Sequence, residues 1–526
     1  MKKFEGFTMK GKPFFPLGAQ AHNSSSYSRE MFAEACKAAL ALNCNTVEAP
    51  IYWEKIEKRE GDFDFSSIDF MLECCRINGL ALVLLWFGSW KNGDISYAPE
   101  WVKRDQNRFR RVLRSDGIPV ADLSAHYPAN READAKAFAA VCSYLNKTNA
   151  ARETVIAVQV ENEPGYLRTD RDYSEAALEN QKAPVPEKLL VYLESHKEAP
   201  AYKDWEQEGK KQGVSWFDSF GFHGFEYCEA WHLALYIDAV AAAGKARHQI
   251  PLYINVWLND GNPWGVPGIE YPGGGAVIRA MHIWLAAVEH IDMLAPDIYE
   301  QNCYRYERIC DFYGTGENTL FIPESSRNLS SACNMFYAIA GGAAGYAVFG
   351  SESCLDSEGN VVDSAVPVRD SNTVVQNVMP LILKHRNTGK LYPVVMHTDQ
   401  EDQGYEFEDF LGSVHFKTSG SGFFDYSAGR EKTTPENMTP RGLIIEDGKR
   451  CFYLAGRFSL RLAVKESPEI SQVSGYIPCP DFVSVEEGHF DGKGDFITDR
   501  IRNGDEAFFG GFWTTPACGV VRVKLL

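Results

Sequence analysis

Short apolar segments alternate with amphipathic segments along about the first 350 residues of the chain. The apolar segments have the length of strands and show no polar alternation, a pattern that favours parallel strands covered on both faces. We predict strands at residues 14–18, 46–49, 80–86, 154–160, 252–256, 293–296, 320–322 and 345–349.

The segments between these strands carry apolar residues at helical spacing. In segment 130–149, Phe138 and Leu145 belong to one apolar stripe, and Asn130 is the predicted N-cap. Gly79 is the predicted C-terminal stop of a helix at 66–78. Further helices are predicted at residues 28–42, 222–244, 278–290 and 331–340. The repeated strand–helix unit predicts an α/β fold, a (β/α)8 TIM barrel.

The pattern changes after the last of these strands. Segment 371–388 has helical spacing, and from about residue 392 the chain alternates with period two. Strands are predicted at 413–417, 442–445, 451–455, 457–464 and 519–526, and Asp447-Gly448 is typical of a tight hairpin turn. We therefore predict three parts, a barrel domain at 1–370, a connecting helix at 371–391 and a C-terminal antiparallel β-sandwich domain at 392–526. We expect the sandwich to have a supporting role.

Composition and charge narrow the class of function. The 526 residues carry a net charge of −18, which repels phosphate backbones and anionic lipids, so we expect no nucleic-acid partner. No segment has the length and apolar character of a signal peptide or a membrane span, so we expect no membrane association. The 13 cysteines are scattered without a CxxC pattern, which indicates reduced thiols and a cytoplasmic location. Whether the chain forms a homo-oligomer stays open.

Two acidic residues follow predicted strands at the end of a barrel where active sites lie. Glu163 comes after strand 154–160 and Glu324 after strand 320–322. These strands are nearly opposite in an eight-stranded barrel, so the two side chains can converge across its mouth. Retaining glycoside hydrolysis needs two carboxyls about 5–5.5 Å apart.

The repulsion between such a pair predicts a division of labour. At about 5 Å and an effective dielectric constant of about 20, two like charges repel by about 3 kcal/mol, or roughly two pKa units. One carboxyl therefore keeps its proton near neutral pH and the other is ionised. The sequence leaves open which one does so, and a solvated strand-end cap at 161–164 is the alternative. We expect Glu161 to be structural, because neighbouring strand residues point to opposite faces.

Other polar and aromatic residues are predicted at the same end of the barrel and are weaker candidates for sugar binding. They are Gln20, His22, Asn23, Glu48, Trp86, Asn255 and Trp257. Long loops after the third, fourth and fifth strands suggest an aromatic rim from Trp90, Tyr97, Trp101, Trp264 and Tyr271. A structural role is the alternative for each of these residues.

Other reaction classes find no support in the motifs. The histidines form no HExxH or HxH spacing, so we predict no metal site. Gly273-Gly274-Gly275 lacks the residues of a phosphate-binding loop, and Ser325-Ser326 lacks a nucleophile elbow.

Three motifs together resemble clan A glycoside hydrolases, most closely the β-galactosidases of families 35 and 42. They are VQVENEPG at 158–165, FIPES at 321–325, and the early segment at 49–66. Lys58 stands where proline is usual in family 42, and Pro164 where family 35 usually has tyrosine. The chain thus resembles a divergent bacterial branch with an extra C-terminal sandwich, and the likeness covers about residues 10–350.

The resemblance implies a role for each matching residue. Glu163 would be the acid/base, Glu324 the nucleophile, and Asn162 would bind the sugar 2-hydroxyl. Tyr299 would donate a hydrogen bond to the nucleophile, and no cofactor is implied. The expected function is a retaining β-glycosidase, most closely a β-galactosidase, acting on a small oligosaccharide or glycoside. Exo action is expected from the long loops, which could enclose a pocket around one terminal sugar. A β-glucosidase, a transglycosylase and an inactive carbohydrate-binding protein remain alternatives.

Overall fold

The computed structural model describes residues 3–259, 265–396, 402–415, 439–465, 480–504, 511–514 and 519–526. Its main sheet consists of parallel strands that follow the predicted positions. They are Leu17–Gln20, Thr46–Tyr52, Ala81–Lys91, Val155–Asn162, Leu252–Trp257, Met293–Asp297 and Tyr346–Phe349. Strands Met293–Asp297 and Tyr346–Phe349 form the two edges of this seven-stranded sheet.

Segment 320–325 joins these two edges and closes the barrel. Ile298 pairs in parallel with Ser325, and Ile322 pairs in parallel with Tyr346. The Ile298 N–H donates to the Glu324 carbonyl at 2.9 Å. Pro323 cannot donate a ladder hydrogen bond, which explains why this eighth position is a bridged segment rather than a regular strand. The (β/α)8 prediction is therefore confirmed.

Helices surround the barrel. They are Arg29–Ala41, Trp53–Ile56, Ser66–Asn78, Glu100–Arg104, Pro128–Lys147, Asn149–Thr154, Gly224–Lys245, Met281–Ala287, Cys303–Tyr313 and Leu329–Ala340. Helix Ser66–Asn78 ends at Gly79 with φ of 68°, as its sequence predicted. The predicted cap at Asn130 is wrong, because Pro128 starts that helix earlier. The Asn130 amide instead donates to the Ser124 carbonyl at 2.8 Å.

The loops after the third and fourth strands carry their own secondary structure. A hairpin of Arg111–Leu113 and Pro119–Leu123 lies in the first loop. Helices Glu175–Lys182, Glu187–Glu194, Pro200–Gln207 and Trp216–Phe220 lie in the second. Short 3-10 turns occur at Gly221–His223, Ser351–Cys354 and Asp363–Ala365, and a hairpin of Phe7–Met9 and Lys12–Phe14 precedes the barrel. The described helices are all too short or too polar to serve as bilayer-crossing segments.

The C-terminal part begins with two helices, Val366–Asn377 and Met379–His385. The sequence predicted one continuous helix here, and the break at Val378 has a physical cause. Pro380 lies in the first turn of the second helix, and a proline in the middle of a single helix would remove a hydrogen bond and clash with the preceding turn.

Two antiparallel sheets follow these helices. One contains Leu391–Val395, Arg441–Glu446, Cys451–Arg457, Val520–Leu525, Phe482–Phe490 and Phe496–Ile501, and the other Asp402–Glu406, Phe410–His415, Ser459–Val464 and Phe512–Trp513. One apolar core unites Ile444 and Leu454 of the larger sheet with Val414 and Leu460 of the smaller. The predicted β-sandwich is thus present.

The larger sheet packs its outer face against the barrel. Leu443 and Ile445 belong to the same apolar cluster as the barrel helices. Arg457 forms a salt bridge with Asp370 at 3.3 Å. The sandwich therefore contacts the side of the barrel through apolar burial, and the ion pair joins it to helix Val366–Asn377.

Candidate active site

Three buried carboxyl groups meet at the mouth of the barrel. One oxygen each from Glu163, Asp297 and Glu324 lies within 4.8 Å of the other two. The three residues are only 7%, 3% and 7% exposed. The sequence predicted that the tips of the fourth and seventh strand positions converge, and the structure brings Glu163 and Glu324 together there.

An irregular backbone aims Glu163 into the mouth. Glu161 and Glu163 have φ angles of 65° and 46°, a left-handed conformation that non-glycine residues rarely adopt. Glu161 points away from the mouth, where its Oε2 accepts from the Trp90 N–H at 2.7 Å. The Glu163 N–H donates to Asn255 Oδ1 at 2.8 Å, and its Oε2 accepts from the Asn92 side-chain amide. The strained turn therefore separates a structural glutamate from one in the site.

Glu324 is held in place by a phenol and an amide. The Tyr299 hydroxyl donates to Glu324 Oε2 at 2.8 Å, and Asn255 Nδ2 donates to Oε1 at 3.5 Å. Burial and the negative charge of Glu324 raise the pKa of Tyr299, so the phenol keeps the proton that it donates. These two donors fix the orientation of the Glu324 carboxyl group.

The electrostatics differ among the three acids. Burial, and next the charge of Glu324, raise the pKa of Glu163 to about 7 against the opposing charge of Lys91. Burial and the charges of Glu324 and Glu163 raise the pKa of Asp297 well above its ordinary value. Near neutral pH Glu163 can therefore both hold and release a proton, as a general acid requires.

Sequence reasoning missed Asp297 and Asn92. Asp297 is the last residue of an apolar strand, as Glu163 and Glu324 follow theirs, so the same rule would have found it. Asn92 lies beyond the end of strand Ala81–Lys91, with φ of 53°. Its contact with Glu163 depends on a loop conformation that no sequence pattern predicts.

Three of the weaker candidates are buried, namely Asn255, Gln20 and Glu48. Asn255 ties the cluster together, because its Nδ2 also donates to Asp297 Oδ2 at 2.7 Å. Gln20 and Glu48 are buried, and burial and then the charge of Glu324 raise the pKa of Glu48 well above its ordinary value. The buried side-chain atoms without a hydrogen-bond partner in the described ranges include Gln20 Nε2 and Oε1, Glu48 Oε1, Asn162 Oδ1 and Asp297 Oδ1. Such donors and acceptors suit a ligand rich in hydroxyl groups.

The assignment of Trp86 to the site is wrong. Its Nε1 donates to Asp134 Oδ1 of helix Pro128–Lys147 at 2.9 Å, and its ring packs against Phe138. Alternation along the strand places Trp86 on the outer face, since Leu85 and Phe87 belong to the cluster inside the barrel. Trp257 is partly exposed at the end of its strand.

His22 lies at one side of the mouth, where its Nε2 is 2.7 Å from Ser353 Oγ. Asn23 lies beside it, and its carbonyl accepts from the Tyr52 hydroxyl at 2.6 Å.

The predicted aromatic rim is wrong for Trp90 and Tyr271, which are fully buried. Trp90 is buried against Tyr236 with ring centroids 4.7 Å apart, and Trp101 packs on Trp53 at 5.9 Å. Tyr97 packs against Tyr52 at 5.0 Å, and Tyr271 is buried with its hydroxyl on Glu226. These rings stabilise the loops, and Trp264 lies outside the described residues.

The three clustered carboxyls are also close enough to ligate a cation. Metal binding needs ionised carboxylates, and burial raises the pKa of both Asp297 and Glu163, so a cation would compete with protons at these two groups.

Comparisons with known proteins show which family the chain matches. Residues 6–272 match the family described as glycosyl hydrolases family 35, and residues 368–512 match a domain of unknown function, DUF5597. Over 173 residues the chain is 30% identical to "Beta-galactosidase-1-like protein 3" of Rattus norvegicus. The aligned segment covers 32% of this chain and 25% of that protein. Over 174 residues the chain is 28% identical to "Beta-galactosidase" of Xanthomonas manihotis, and this alignment covers 32% of this chain and 26% of that protein. These matches span about a quarter of each relative.

A solved structure supports the fold. The catalytic domain of beta-amylase from Paenibacillus polymyxa aligns with a TM-score of 0.50 at 10% identity, over 68% of this chain and 97% of that domain. At this identity the likeness concerns the barrel alone. The family 35 match covers just over half of the chain, and the chain therefore belongs to glycosyl hydrolases family 35.

Proposed function

We propose that the protein is a retaining exo-β-galactosidase that removes a terminal β-linked galactose by double displacement. The observation that carries this proposal is the approach of the Glu163 and Glu324 carboxyl oxygens to within 4.8 Å. Retaining enzymes hold their two carboxyls about 5–5.5 Å apart, whereas inverting enzymes leave about 6.5–9.5 Å for a water. The choice of galactose rests on the family and on the names of the two relatives.

In the first step, ionised Glu324 attacks the anomeric carbon while protonated Glu163 donates its proton to the leaving oxygen. Tyr299 and Asn255 keep the Glu324 carboxylate oriented through their hydrogen bonds. In the second step, Glu163 removes a proton from the water that hydrolyses the glycosyl-enzyme ester. Glu163 suits both steps, because a pKa of about 7 makes each protonation state accessible near neutral pH.

The sugar hydroxyls would be recognised by the buried polar atoms around the cluster. Asn162, next to the acid, would bind the 2-hydroxyl, and Gln20 and Glu48 would bind others. Their side chains include buried atoms without partners in the described structure, and a ligand hydroxyl would satisfy them. Trp257 and His22 would lie at the edge of the sugar.

Exo action is supported by the long loops around the mouth, where the Tyr166 and Gly273 backbones pair with each other. A cytoplasmic location is supported by the eleven described cysteines, which form no disulfide with one another. We also propose the division into 1–370, 371–391 and 392–526, with the sandwich supporting the barrel.

The direct test is a set of paired assays. We expect 4-nitrophenyl β-galactoside to be hydrolysed with a higher kcat/KM than the matching glucoside, and NMR to detect β-galactose as the first product. A faster glucoside would favour a β-glucosidase, and first-formed α-galactose would exclude retention. Release of fragments from the middle of a polymer would contradict exo action. Binding of galactose without turnover of any glycoside would favour the carbohydrate-binding alternative.

A further inference from the structure

A second cavity adjoins the catalytic cluster. It has a volume of about 350 Å³ and lies among the loops that follow segment 320–325 and strand Tyr346–Phe349. Tyr299 belongs to both sites, because its hydroxyl donates to Glu324 while its side chain lines this cavity. Ser325, the residue after the nucleophile, lines it as well. The cavity is large enough for a small ligand and begins where the reaction would take place.

Arg327 brings a cationic side chain to the lining of this cavity. Its Nη1 donates to the Gly350 carbonyl at 2.6 Å. Across the described ranges no carboxylate lies within 4.0 Å of the guanidinium, although the chain carries a net charge of −18. A guanidinium has five N–H donors in a planar fork, so most of its hydrogen-bonding capacity remains for a ligand.

The surrounding backbone is shaped around this arginine. Gly350 has φ of 68°, and a Cβ there would lie 3.0 Å from Arg327 Nη1 and 2.7 Å from His22 Cε1. The carboxylate of Glu352 is engaged elsewhere, since it accepts from the His22 N–H at 3.2 Å and from the Ser25 hydroxyl. The local acid therefore has donors of its own, and a glycine leaves the room in which Arg327 packs.

The rest of the lining is typical of a sugar site. Hydroxyl side chains come from Ser326, Ser353 and Ser364, and Phe349 and Val362 supply apolar surface. Hydroxyls and apolar faces are what a pyranose ring contacts, whereas an unpaired guanidinium matches a planar carboxylate through two parallel hydrogen bonds. The combination favours a sugar that carries an acidic group.

We propose that this cavity binds the sugar next to the terminal galactose and that Arg327 recognises a uronate carboxylate on that sugar. The proposal rests on the proposed exo-β-galactosidase function, because a second sugar of an exo substrate lies on the leaving side. It extends that function by naming the substrate class, an oligosaccharide whose galactose is attached to a uronic acid. A sulfate ester offers similar charge but a tetrahedral shape.

The kinetic test compares disaccharides that have the same linkage and differ in the second sugar. The substrates are β-galactosyl-glucuronate, β-galactosyl-glucose and β-galactosyl-glucose 6-sulfate. We expect wild type to favour the glucuronate over the glucose compound by at least about tenfold in kcat/KM, as a charge-assisted bidentate pair would provide. Arg327→Met should reduce this preference to within about twofold, and Arg327→Lys should be intermediate. A preference near unity in wild type, an unchanged preference in Arg327→Met, or a larger preference for the sulfate would overturn the proposal.

A binding experiment separates this proposal from the proposed function. Glucuronate alone is titrated into wild type, Arg327→Met and the control Arg104→Met, in which the lost charge lies on the exposed side chain paired with Glu100. We expect saturable binding in wild type and the control and at least about tenfold weaker binding in Arg327→Met. If no galactoside is hydrolysed but this pattern holds, the function fails and the acidic-sugar site stands. If galactosides are hydrolysed but glucuronate binds the three proteins equally, only the acidic-sugar site fails.

Discussion

Buried acids have opposite surroundings in the barrel and in the sandwich. At the barrel mouth, Glu163 faces two other carboxyls, and burial together with the charge of Glu324 raises its pKa to about 7. In the sandwich, burial also acts against ionisation of Glu486, but hydrogen bonds from Ser484 and Arg522 outweigh it and lower its pKa to about 2. The same type of side chain therefore holds a proton in one region and a full charge in the other.

This difference shows what each region is built to do. A carboxylate surrounded by cations and hydroxyls contributes to stability, as Glu486 does with Arg522 and with Lys524 at 3.1 Å. Carboxyls that face each other destabilise the folded state once they ionise, but they supply an acid and a nucleophile near neutral pH. Substitutions in the two regions should consequently have effects of opposite sign on stability, and only those at the mouth should affect catalysis.

The largest expected effect is that of Glu324→Gln. Without a nucleophile no glycosyl-enzyme can form, so kcat on 4-nitrophenyl β-galactoside should fall by at least about 10⁴-fold. Labelling by a 2-fluoro-galactoside should appear by mass spectrometry on wild type and disappear in the variant. Glu406→Gln, an exposed change in the sandwich, is the matched control and should keep full activity. A variant that retains a tenth of the wild-type rate would remove Glu324 from the mechanism.

The next effect is that of Glu163→Gln and depends on the leaving group. Loss of a general acid should slow a disaccharide by about 10²–10⁴-fold, because a sugar alkoxide needs a proton to leave. A dinitrophenyl galactoside needs no proton, so its glycosylation step should slow much less. The measurement is the ratio of the two kcat/KM values in each protein. An equal loss on both substrates would argue for a structural role of Glu163.

The sequence predicted these two glutamates because polar residues that follow apolar barrel strands lie at the mouth. That rule needs only the position of strand ends, which local patterns supply. It gave Asn255 a place at the mouth as well, and Asp297 would have satisfied it. Eight apolar segments in alternation with helices were likewise sufficient to predict the barrel, although Pro323 changed one strand into a bridged segment.

The errors arose where position depends on tertiary structure. Trp86 is one residue away from the interior face, and only the register of the strand decides that its ring packs on Phe138. The positive φ angles of Glu161 and Glu163 depend on the contacts of the folded loop. The Glu486–Arg522 pair joins residues far apart in sequence, so no local pattern could have found the contrast between the two regions.

Glu163→Gln and Glu486→Gln should change the free energy of unfolding in opposite directions, and both changes can be measured. Raising the folded-state pKa of Glu163 from 4.5 to about 7 makes the folded protein bind more protons than the unfolded chain in that window. The free energy of unfolding of wild type should therefore fall by about 3 kcal/mol between pH 4.5 and pH 8 because of this residue alone. This decrease should be absent in Glu163→Gln. The lowered pKa of Glu486 stabilises the fold at all pH values above 4.5, and this contribution is lost only as the pH falls towards 2.

Urea unfolding at pH 5 and pH 8 tests both predicted changes in stability. Glu163→Gln should be more stable than wild type at pH 8, with a much smaller difference at pH 5. Glu486→Gln should be less stable than wild type by about 1 kcal/mol at both pH values. If Glu163→Gln is destabilised at pH 8, the contrast between the regions is wrong.

The smallest expected effect concerns Asp297, and it shows which acids of the cluster hold protons. The kcat/KM of wild type should fall about tenfold per pH unit above pH 7, where Glu163 loses its proton. Burial and the charges of Glu324 and Glu163 raise the pKa of Asp297 well above its ordinary value. If this raised pKa keeps Asp297 uncharged above pH 7, Asp297→Asn replaces one neutral group by another. The midpoint of the alkaline limb should therefore stay within about 0.3 units of wild type. If Asp297 were ionised, its removal would take a negative charge away from Glu163, and the midpoint would move to lower pH by about one unit or more. An unshifted midpoint with a modest loss of rate would mean that Asp297 and Glu163 both carry protons beside a single ionised nucleophile. Glu486 in the sandwich differs, because its ion pair with Arg522 keeps it charged.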